Sequence, residues 1–499
     1  MSLTPSNAGR LLSALSLCLV LGSCTVGPRY QKPAPTVTAV PMPAQWQGQS
    51  WQLAAPADET PRGEWWLVFH DEKLNELEHQ LLEGNQSLLA AREHLESARA
   101  LARVATAGLF PQLSADPSAI RERGAGNRPL SGGANTTTPY TQSVFTVPFN
   151  INYEFDVFGH VRKGVESANA QLQSTAADTA NAQLVLTAEL AADYFTLRQL
   201  DAEFQVVEEN SDYQRKALDL VNHRHDGGIA NGLEVAQQKS LLDATLTQLS
   251  LVRQSRAQYE HAIAVLVGRA APDFHLAPVP LATVPPVVPV GLPSQMLERR
   301  PDIASSERQV AMANAQVGLA KAAFYPRIAL NTTGGGWQSR DISTLVNAPS
   351  LFWAVGADAL TPIFSGGRNK ANLAAARASY ESSVATYRQS VLTAFGQVED
   401  GLSSLDALSR ASETQAAAVD DARRQLELAN NRYVGGVDNY LTVITAETTL
   451  LSNQRLAVQL LGQRMVATVY LVKALGGGWD AKQLEKQQVK PTAGQIVQP

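Results

Sequence analysis

Long stretches of the chain carry the apolar spacing of a helix and contain no residue that would break one. Residues 165–226 have neither Gly nor Pro, and at 1.5 Å per residue a continuous helix there would be about 90 Å long. An apolar stripe suited to a partner helix recurs at three-, four- and seven-residue intervals, at Leu190, Tyr194, Leu197, Phe204 and Val207. After a double glycine, a returning helix is predicted from Leu233 to about Val267.

The same pattern occurs twice along the chain. Residues 224–231 recur 208 residues later as 432–439, with Arg, the double Gly and Asn at matching positions. The second long hairpin is predicted at about 368–434 and 440–475, and Gly396 and Gly401 within it indicate either a bend or a close helix contact. A shorter helix precedes each hairpin, at 72–108 and at 294–323. Self-similarity on this scale indicates one unit used twice.

Between the helices lie segments with the period-two alternation of strands. Residues 149–157 place Phe, Ile, Tyr, Phe and Val on one face and Asn, Asn, Glu and Asp on the other. This alternation is typical of a transmembrane β-strand, and also of a half-buried strand in a soluble sheet. Further strands are predicted near 112–121, 327–337 and 351–361, and strand-joining loops at 124–138 and 334–349.

About four strands per chain cannot close a barrel by themselves. An open sheet edge in lipid would leave backbone groups without hydrogen bonds, so a transmembrane sheet of this size has to be shared between chains. The predicted fold class is a mixed α and β membrane protein. It combines a long antiparallel α-helical barrel with a shared transmembrane β-barrel.

The N-terminus has the features of an export signal. Arg10 precedes an apolar run, Leu11 to Leu21, that is too short to span a bilayer. The run ends in Leu21-Gly22-Ser23-Cys24, which resembles a bacterial lipobox and implies cleavage before Cys24 and a covalent lipid on it. The alternative is an ordinary secretory signal with a chance cysteine. Thr25 in place of Asp resembles lipoproteins sorted to the outer membrane.

Prolines cluster between residues 28 and 61 and between 272 and 301, and these clusters divide the chain. The predicted organisation is a lipoprotein signal peptide (1–23), a lipid-anchored extended tether (24–62), a first repeat (63–271), a Pro-rich linker (272–293), a second repeat (294–478) and a polar tail (479–499). The linker is expected to run over the surface.

Composition excludes some classes of protein. Two cysteines in 499 residues exclude a disulfide scaffold. A net charge of -5 gives no support for nucleic-acid binding. Mean hydropathy of -0.13 excludes a polytopic helical membrane protein and leaves a β-barrel open.

Motifs along the mature chain match, in collinear order, the TolC-like outer-membrane efflux proteins. The chain most resembles the NodT-type lipoprotein branch that serves RND pumps. The matching motifs are Gly27-Pro28-Arg29-Tyr30, Trp65-Trp66, Arg299-Arg300-Pro301-Asp302-Ile303, Phe324-Tyr325-Pro326, Pro362-Ile363-Phe364 and Arg432-Tyr433 with Gly435-Gly436-Val437. The resemblance implies a homotrimer with a barrel of about twelve strands in the outer membrane and a helical tunnel in the periplasm. It also implies a periplasmic adaptor and an inner-membrane pump as partners.

No catalytic signature is present in the sequence. It lacks a P-loop, Gly-x-Ser-x-Gly, His-Glu-x-x-His and Cys-x-x-Cys, so we expect no enzyme and no cofactor apart from the lipid on Cys24. His223 and His225 are spaced like metal ligands, but they lie at a predicted helix end, where the helix dipole favours a cation. We favour that structural role and expect no metal site.

The double-glycine turns are the candidate gate, because they cap the tunnel end farthest from the barrel. Gly227, Gly228, Gly435 and Gly436 permit the positive φ that a tight helical hairpin needs. Asp438 would form a ring of three carboxylates around a trimer axis, as in cation pores. Alternatively, Asp438 or Asn439 simply caps the helix that begins at Tyr440.

Two further residues could act at this gate. Arg432 and Tyr433 could pair with neighbouring hairpins and hold the tips closed. Arg224 and Arg432 could also be no more than solvated or helix-end charges.

The predicted function is an outer-membrane exit duct that passively conducts drugs or toxic compounds. The alternatives are a duct of the same architecture for protein secretion or metal efflux, and a lipid-anchored periplasmic helical scaffold without a pore. The alternation at 149–157 favours a duct, because a scaffold has no need of aromatic side chains opposite carboxylates.

Overall fold

A computed structural model describes residues 26–34, 45–46, 49–50, 63–126, 139–286 and 299–490. Within these ranges the main helices are α1 (Glu72–Gly84), α2 (Gln86–Ala107), α3 (His160–Asp226), α4 (Gly232–Leu266), α5 (Pro301–Ala322), α6 (Arg368–Val434) and α7 (Tyr440–Ala474). None of them has the length and apolar character needed to cross a bilayer.

The two helical hairpins have matching dimensions. Helices α3 and α6 each have 67 residues, which corresponds to about 100 Å, and α4 and α7 each have 35. The predicted long helix at 165–226 is therefore confirmed, with its start moved back to His160 behind Gly159, whose φ is 85°. Helix α6 is unbroken at Gly396 and Gly401. A Cβ on Gly401 would lie 3.2 Å from Leu471 Cδ1, so a close contact with α7 accounts for that glycine.

The first predicted helix is wrong in one respect, because 72–108 forms two helices. Asn85 has extended backbone angles (φ -70°, ψ 118°) and separates α1 from α2. Its side chain accepts a hydrogen bond from the Leu88 amide (2.9 Å) and donates one to the Leu266 carbonyl (2.8 Å). The break between α1 and α2 leaves backbone groups without helical partners, and the Asn85 side chain supplies hydrogen bonds in their place. The helix predicted at 294–323 begins at Pro301 in the structure, and residues 287–298 lie outside the described part.

The sheet is four strands wide and antiparallel throughout. Its segments are β1 (Gln112–Ala115), β2 (Ser118–Gly124), β3 (Tyr140–Phe155), β4 (Arg327–Ser339), β5 (Leu351–Phe352) and β6 (Asp358–Leu360). The segments β1 and β2 both pair with β3, β3 pairs with β4, and β5 and β6 both pair with β4. The two outer strands are thus interrupted, and the two central ones are long.

The strand boundaries differ from the predictions at several places. The strands predicted near 112–121 and 351–361 are each interrupted, the first as β1 and β2 and the second as β5 and β6. The strand predicted at 149–157 begins at Tyr140. The loop predicted from Gly334 starts only after Ser339, because the strand continues through an irregularity opposite Phe149 and Asn150. A Cβ on Gly336 would come within 2.8 Å of Pro148 Cα, so the close approach of β3 requires glycine there. Of the loop predicted at 124–138, residues 127–138 lie outside the described part.

The largest apolar core lies where the short helix Trp65–Phe69, α1, α3, α4 and α7 meet. The predicted stripe on α3 is confirmed, since Leu190, Tyr194, Leu197 and Val207 are at most 2% exposed and Phe204 is partly buried. The segment after α4 does not lie wholly on the surface as expected: Phe274 and Leu276 are buried in this core.

The first described residues run along the junction of sheet and helices. The Val26 amide donates a hydrogen bond to the Phe158 carbonyl (3.1 Å), between β3 and α3. Gly27 packs so closely on Gly318 that a Cβ would lie 2.9 Å from Gly318 Cα. The Tyr30 hydroxyl donates to Glu307 Oε1, beneath the guanidinium of Arg308. The segment that follows Cys24 is therefore held at the end of the sheet where the helices begin.

Candidate gate at the hairpin tips

The two tip turns have the same backbone geometry. In each, the second glycine has a positive φ, 74° at Gly228 and 71° at Gly436, as expected for a left-handed turn residue. The first glycines do not, since Gly227 (φ -78°) and Gly435 (φ -74°) are right-handed. Of the four glycines predicted to permit a positive φ, only the second one in each turn adopts it.

An asparagine begins the returning helix in both copies. The Asn439 side chain accepts from the Thr442 amide (3.3 Å), and the Asn231 side chain accepts from the amides of Leu233 (3.0 Å) and Glu234 (3.1 Å). These contacts satisfy amides that a helix N-terminus leaves free. Asn439, rather than Asp438, is therefore the N-cap of α7.

Asp438 is tied to its own turn on three sides. Its Oδ2 lies 3.2 Å from Arg432 Nε, and its Oδ1 accepts from the Asn439 amide (3.0 Å) and the Thr442 hydroxyl (3.1 Å). The hydrogen bond from Asn439, followed by those from Arg432 and Thr442, lowers the pKa of Asp438 below its ordinary value. Arg432 pairs here within its own turn, where the sequence suggested a neighbouring hairpin.

Tyr433 joins the second hairpin to the first. Its hydroxyl donates a 2.7 Å hydrogen bond to Glu234 Oε2 on α4. The guanidinium of Arg224, at the end of α3, lies 4.7 Å from the centre of the Tyr433 ring. Arg224 is thus more than a solvated helix-end charge, because it stacks on the residue that bridges the hairpins. Burial, reinforced by the bond to Glu234, raises the pKa of Tyr433 to about 12, so this phenol keeps its proton at neutral pH.

A small apolar cluster packs the hairpins together just inside the turns. The rings of Tyr433 and Tyr440 lie 4.9 Å apart, and the Tyr440 hydroxyl donates to Gln238 Oε1 (2.8 Å). The other buried members are Val221, Ala429, Val443 and Ala446. Apolar side chains at the turns themselves are exposed, with Ile229 72% and Val437 69% accessible.

Sequence reasoning missed two carboxyl groups near the tips. Glu234 accepts from Tyr433, as described above, and Glu447 is 2% exposed with neither carboxyl oxygen in a hydrogen bond. A usable signal existed for Glu447, because it is the only acidic residue between Tyr440 and Ala474. Nothing in the sequence distinguishes Glu234, since its partner lies 199 residues away.

The other residues for which the sequence suggested a site are two histidines and Cys24. His225 Nδ1 lies 3.0 Å from the Ala230 carbonyl oxygen, and His223 lies in the last turn of α3. Within the described ranges, no group of three or more His, Cys, Asp or Glu side chains is placed to hold a metal ion. Cys24, the predicted lipidation site, lies outside the described residues.

Known proteins resemble this chain over nearly its whole length. The family model for outer membrane efflux proteins matches residues 77–269 and 292–477. The chain is 34% identical over 471 residues to the pyoverdine export outer membrane protein OpmQ of Pseudomonas aeruginosa, covering 94% of this chain and 97% of that one. It is 33% identical over 474 residues to the solvent efflux pump outer membrane protein SrpC of Pseudomonas putida, with 93% and 97% covered. The solved structure of the outer-membrane channel OprN superposes with a TM-score of 0.80 at 27% identity, covering 91% of this chain and 100% of that one.

Proposed function

The chain belongs to the outer membrane efflux protein family, and we propose that it is the outer-membrane channel of a tripartite RND-type efflux system. In this role it passively conducts drugs or other toxic compounds from the periplasm to the exterior. The observation that carries the proposal is the joining of a four-strand antiparallel sheet to two helical hairpins of about 100 Å. A passive duct requires no catalytic group, and the family is one of efflux proteins rather than of enzymes.

The sheet supports a trimer with a shared β-barrel. Its outer segments β1, β2, β5 and β6 each pair on one side only within the described chain, and unpaired edges are not tolerated in lipid. Three copies would supply about twelve strands. Large apolar side chains near the outer strands are exposed on the single chain, including Trp353, Leu360, Ile363 and Phe364. In the proposed assembly these side chains contact lipid or a neighbouring subunit.

The position of residues 26–34 supports a lipid anchor on Cys24. Val26 is bonded to Phe158, where the sheet ends and α3 begins, and Cys24 precedes Val26 by two residues. A lipid on Cys24 would thus enter the periplasmic leaflet of the same outer membrane that holds the barrel. In this arrangement the two repeats at 63–271 and 294–478 each contribute one hairpin and one half of the sheet.

The hairpin tips are proposed to be the gate and the region that meets the periplasmic adaptor. Three copies of the turn at 435–439 around one axis would bring three Asp438 carboxylates together and favour cations. In each copy, Arg432 holds Asp438 within its turn, and Tyr433 holds the second hairpin against the first. Opening requires the hairpins to separate, which breaks the bond from Tyr433 to Glu234.

The test is conduction by the purified full-length protein in a planar bilayer, together with its mass in detergent. We expect a homotrimer that forms discrete ion-conducting pores. A monomer without conductance would contradict the channel and favour the scaffold.

A matched pair of variants tests which strand face meets lipid. Phe149→Lys lies on the apolar face of β3 and Asn152→Lys on the polar face. A lysine in the lipid-facing midplane costs about 2–4 kcal/mol, so only Phe149→Lys should reduce membrane assembly.

A further inference from the structure

The two hairpins meet along a polar interface just above the tips, which we call the tip seam. It is formed by Gln214 of α3, Gln238 of α4, and Tyr440 and Glu447 of α7. Gln238 joins three helices, because its Nε2 donates to the Gln214 carbonyl (3.0 Å) and its Oε1 accepts from Tyr440 (2.8 Å). Glu447 lies two helical turns from Tyr440, beside Gln238, and is 2% exposed.

The Glu447 carboxyl is buried without a charge partner. Neither of its oxygens accepts a hydrogen bond, and no cationic side chain pairs with it within the described chain. Glu203, another buried carboxylate, is instead paired with an arginine. It lies 2.9 Å from Nε and 2.7 Å from Nη2 of Arg455, which is on the same helix as Glu447. Burying an unpaired charge is strongly unfavourable, whereas a neutral carboxyl is tolerated and can donate its proton.

An orphaned amide lies in the same seam. Gln214 is 1% exposed, and neither Oε1 nor Nε2 of its side chain has a hydrogen-bond partner. The seam therefore contains an amide oxygen without a partner, which is an acceptor of the kind that a protonated carboxyl can use, and within the described residues it contains no cation paired with Glu447.

We propose that Glu447 is a proton switch for the tip gate. With its proton, Glu447 is compatible with hairpins packed along the tip seam. Loss of the proton places a charge in the seam and favours separation of the hairpins. The switch rests on the proposed channel function, because it regulates the opening of that same gate.

Five other ionisable side chains surround the seam. They are Tyr213 and Arg224 on α3, Glu234 on α4, Tyr433 on α6 and Tyr440 on α7. Burial raises the pKa of each of the three tyrosines, so all three stay neutral. Arginine stays charged, and Glu234 is already engaged by Tyr433. Glu447 is thus the group placed to respond.

The direction of the pH effect follows from burial. Burial raises the pKa of Glu447 from 4.5 to about 7, against a smaller opposing effect of the Gln238 side chain. The packed seam is therefore favoured fully below the ordinary carboxyl pKa. This preference is lost progressively as pH rises to about 7, and nothing further changes above it. If the open state exposes Glu447 to water, the open-to-closed ratio increases by at most about 30-fold between about pH 5.5 and about pH 8.

The experiment measures channel conductance in planar bilayers while the pH on the tip side is varied. We expect wild-type conductance to rise with pH, and Glu447→Gln to stay at the low-pH level throughout. Glu427→Gln is the matched control, because Glu427 is an exposed carboxylate near the end of α6, and it should behave as wild type. Imidazoles also titrate near neutral pH, so a His223→Asn/His225→Asn variant separates their contribution.

A second measurement keeps the test independent of the variants. Hydrogen exchange of the wild-type peptide around Tyr440–Leu450, corrected for the intrinsic effect of pH, should show added opening at high pH. The switch is overturned if wild type conducts without pH dependence, if Glu447→Gln keeps the wild-type dependence, or if corrected exchange does not change. Absence of pores from every variant, wild type included, would instead contradict the channel function.

Discussion

The Tyr433 hydroxyl donates its hydrogen bond to Glu234 Oε2 at 2.7 Å, and this bond joins helix α6 of the second repeat to helix α4 of the first. The residue is 8% exposed, and Arg224 stacks on its ring. Arg432 is used within its own turn by Asp438, whereas Tyr433 links the two hairpins, as the bond from Tyr440 to Gln238 also does. In the proposed gate, separation of the hairpins would break this bond, and its energy would enter the cost of opening.

Tyr433→Phe should weaken closure of the tips. A hydrogen bond to a charged acceptor contributes about 1.5–3 kcal/mol. Partial exposure of Glu234 reduces this to about 1–2 kcal/mol, or about 5–30-fold in the open-to-closed ratio. Bilayer conductance measures the effect. Tyr470→Phe, at a half-exposed tyrosine of α7, is the control, and equal conductance of the two variants would show that the bond does not restrain the tips.

Asp438→Ala should increase ion leakage through the purified channel. The change removes the partner of Arg432 and the acceptor for Asn439 and Thr442, so the second turn loses its internal ties. Asp420→Ala removes an exposed carboxylate paired with Arg423 on the same helix and should leave conductance unchanged. If both variants leak equally, the turn geometry is irrelevant to the gate.

The hydrogen bonds of Asp438 also determine the direction in which pH should affect conductance through this residue. Hydrogen bonds lower the pKa of Asp438 below its ordinary value of 3.8, so the contribution to closure that we propose for it would be present above that value and lost only as pH falls further. Asp438→Asn should therefore leave the shape of the conductance profile between mildly acidic and neutral pH unchanged. A new transition in that interval would contradict the ion pair seen here.

The hairpins and turns could be predicted because their determinants are local. Apolar spacing defined α3, and a repeated glycine pair defined the turns. The contacts across the seam could not be predicted, since Tyr433 and Glu234 are 199 residues apart and no local pattern pairs them. Asn85 illustrates another limit: it looks like a polar residue on a helix face, and its capping role depends on the Leu266 carbonyl of a distant helix. Similarly, Gly334–Gly336 looked like a loop because strand continuity there depends on close packing against β3.

Substitution of the first tip should distinguish its two glycines. Gly228 has a φ of 74°, and alanine in that conformation costs about 1–2 kcal/mol. Gly227 is right-handed, and a Cβ there would lie 3.4 Å from the His223 carbonyl oxygen, an ordinary contact. Hydrogen exchange of the peptide around the turn should thus increase about 5–30-fold in Gly228→Ala and little in Gly227→Ala. Equal exchange in both would contradict the left-handed turn.

Alanine substitutions at two helical glycines should have opposite effects on stability. A Cβ on Gly396 would meet nothing within 4 Å, so Gly396→Ala should raise the free energy of unfolding by about 0.5–1 kcal/mol through reduced backbone entropy. A Cβ on Gly462 would come within 2.6 Å of Gln199 Cγ, at the contact of α7 with α3. Gly462→Ala should therefore lower the free energy of unfolding by about 1–3 kcal/mol through overpacking.

The steric cause can be isolated by truncating the neighbour. Gln199→Gly removes all three Gln199 atoms that the new methyl group would meet, namely Oε1, Cγ and Cβ. Gly462→Ala should therefore be less destabilising in that background, by at least about 1 kcal/mol in a double-mutant cycle. Denaturant unfolding of the purified protein, followed by circular dichroism, measures each free energy. Additive effects of the two substitutions would show that α3 and α7 do not approach as closely at Gly462 as the structure indicates.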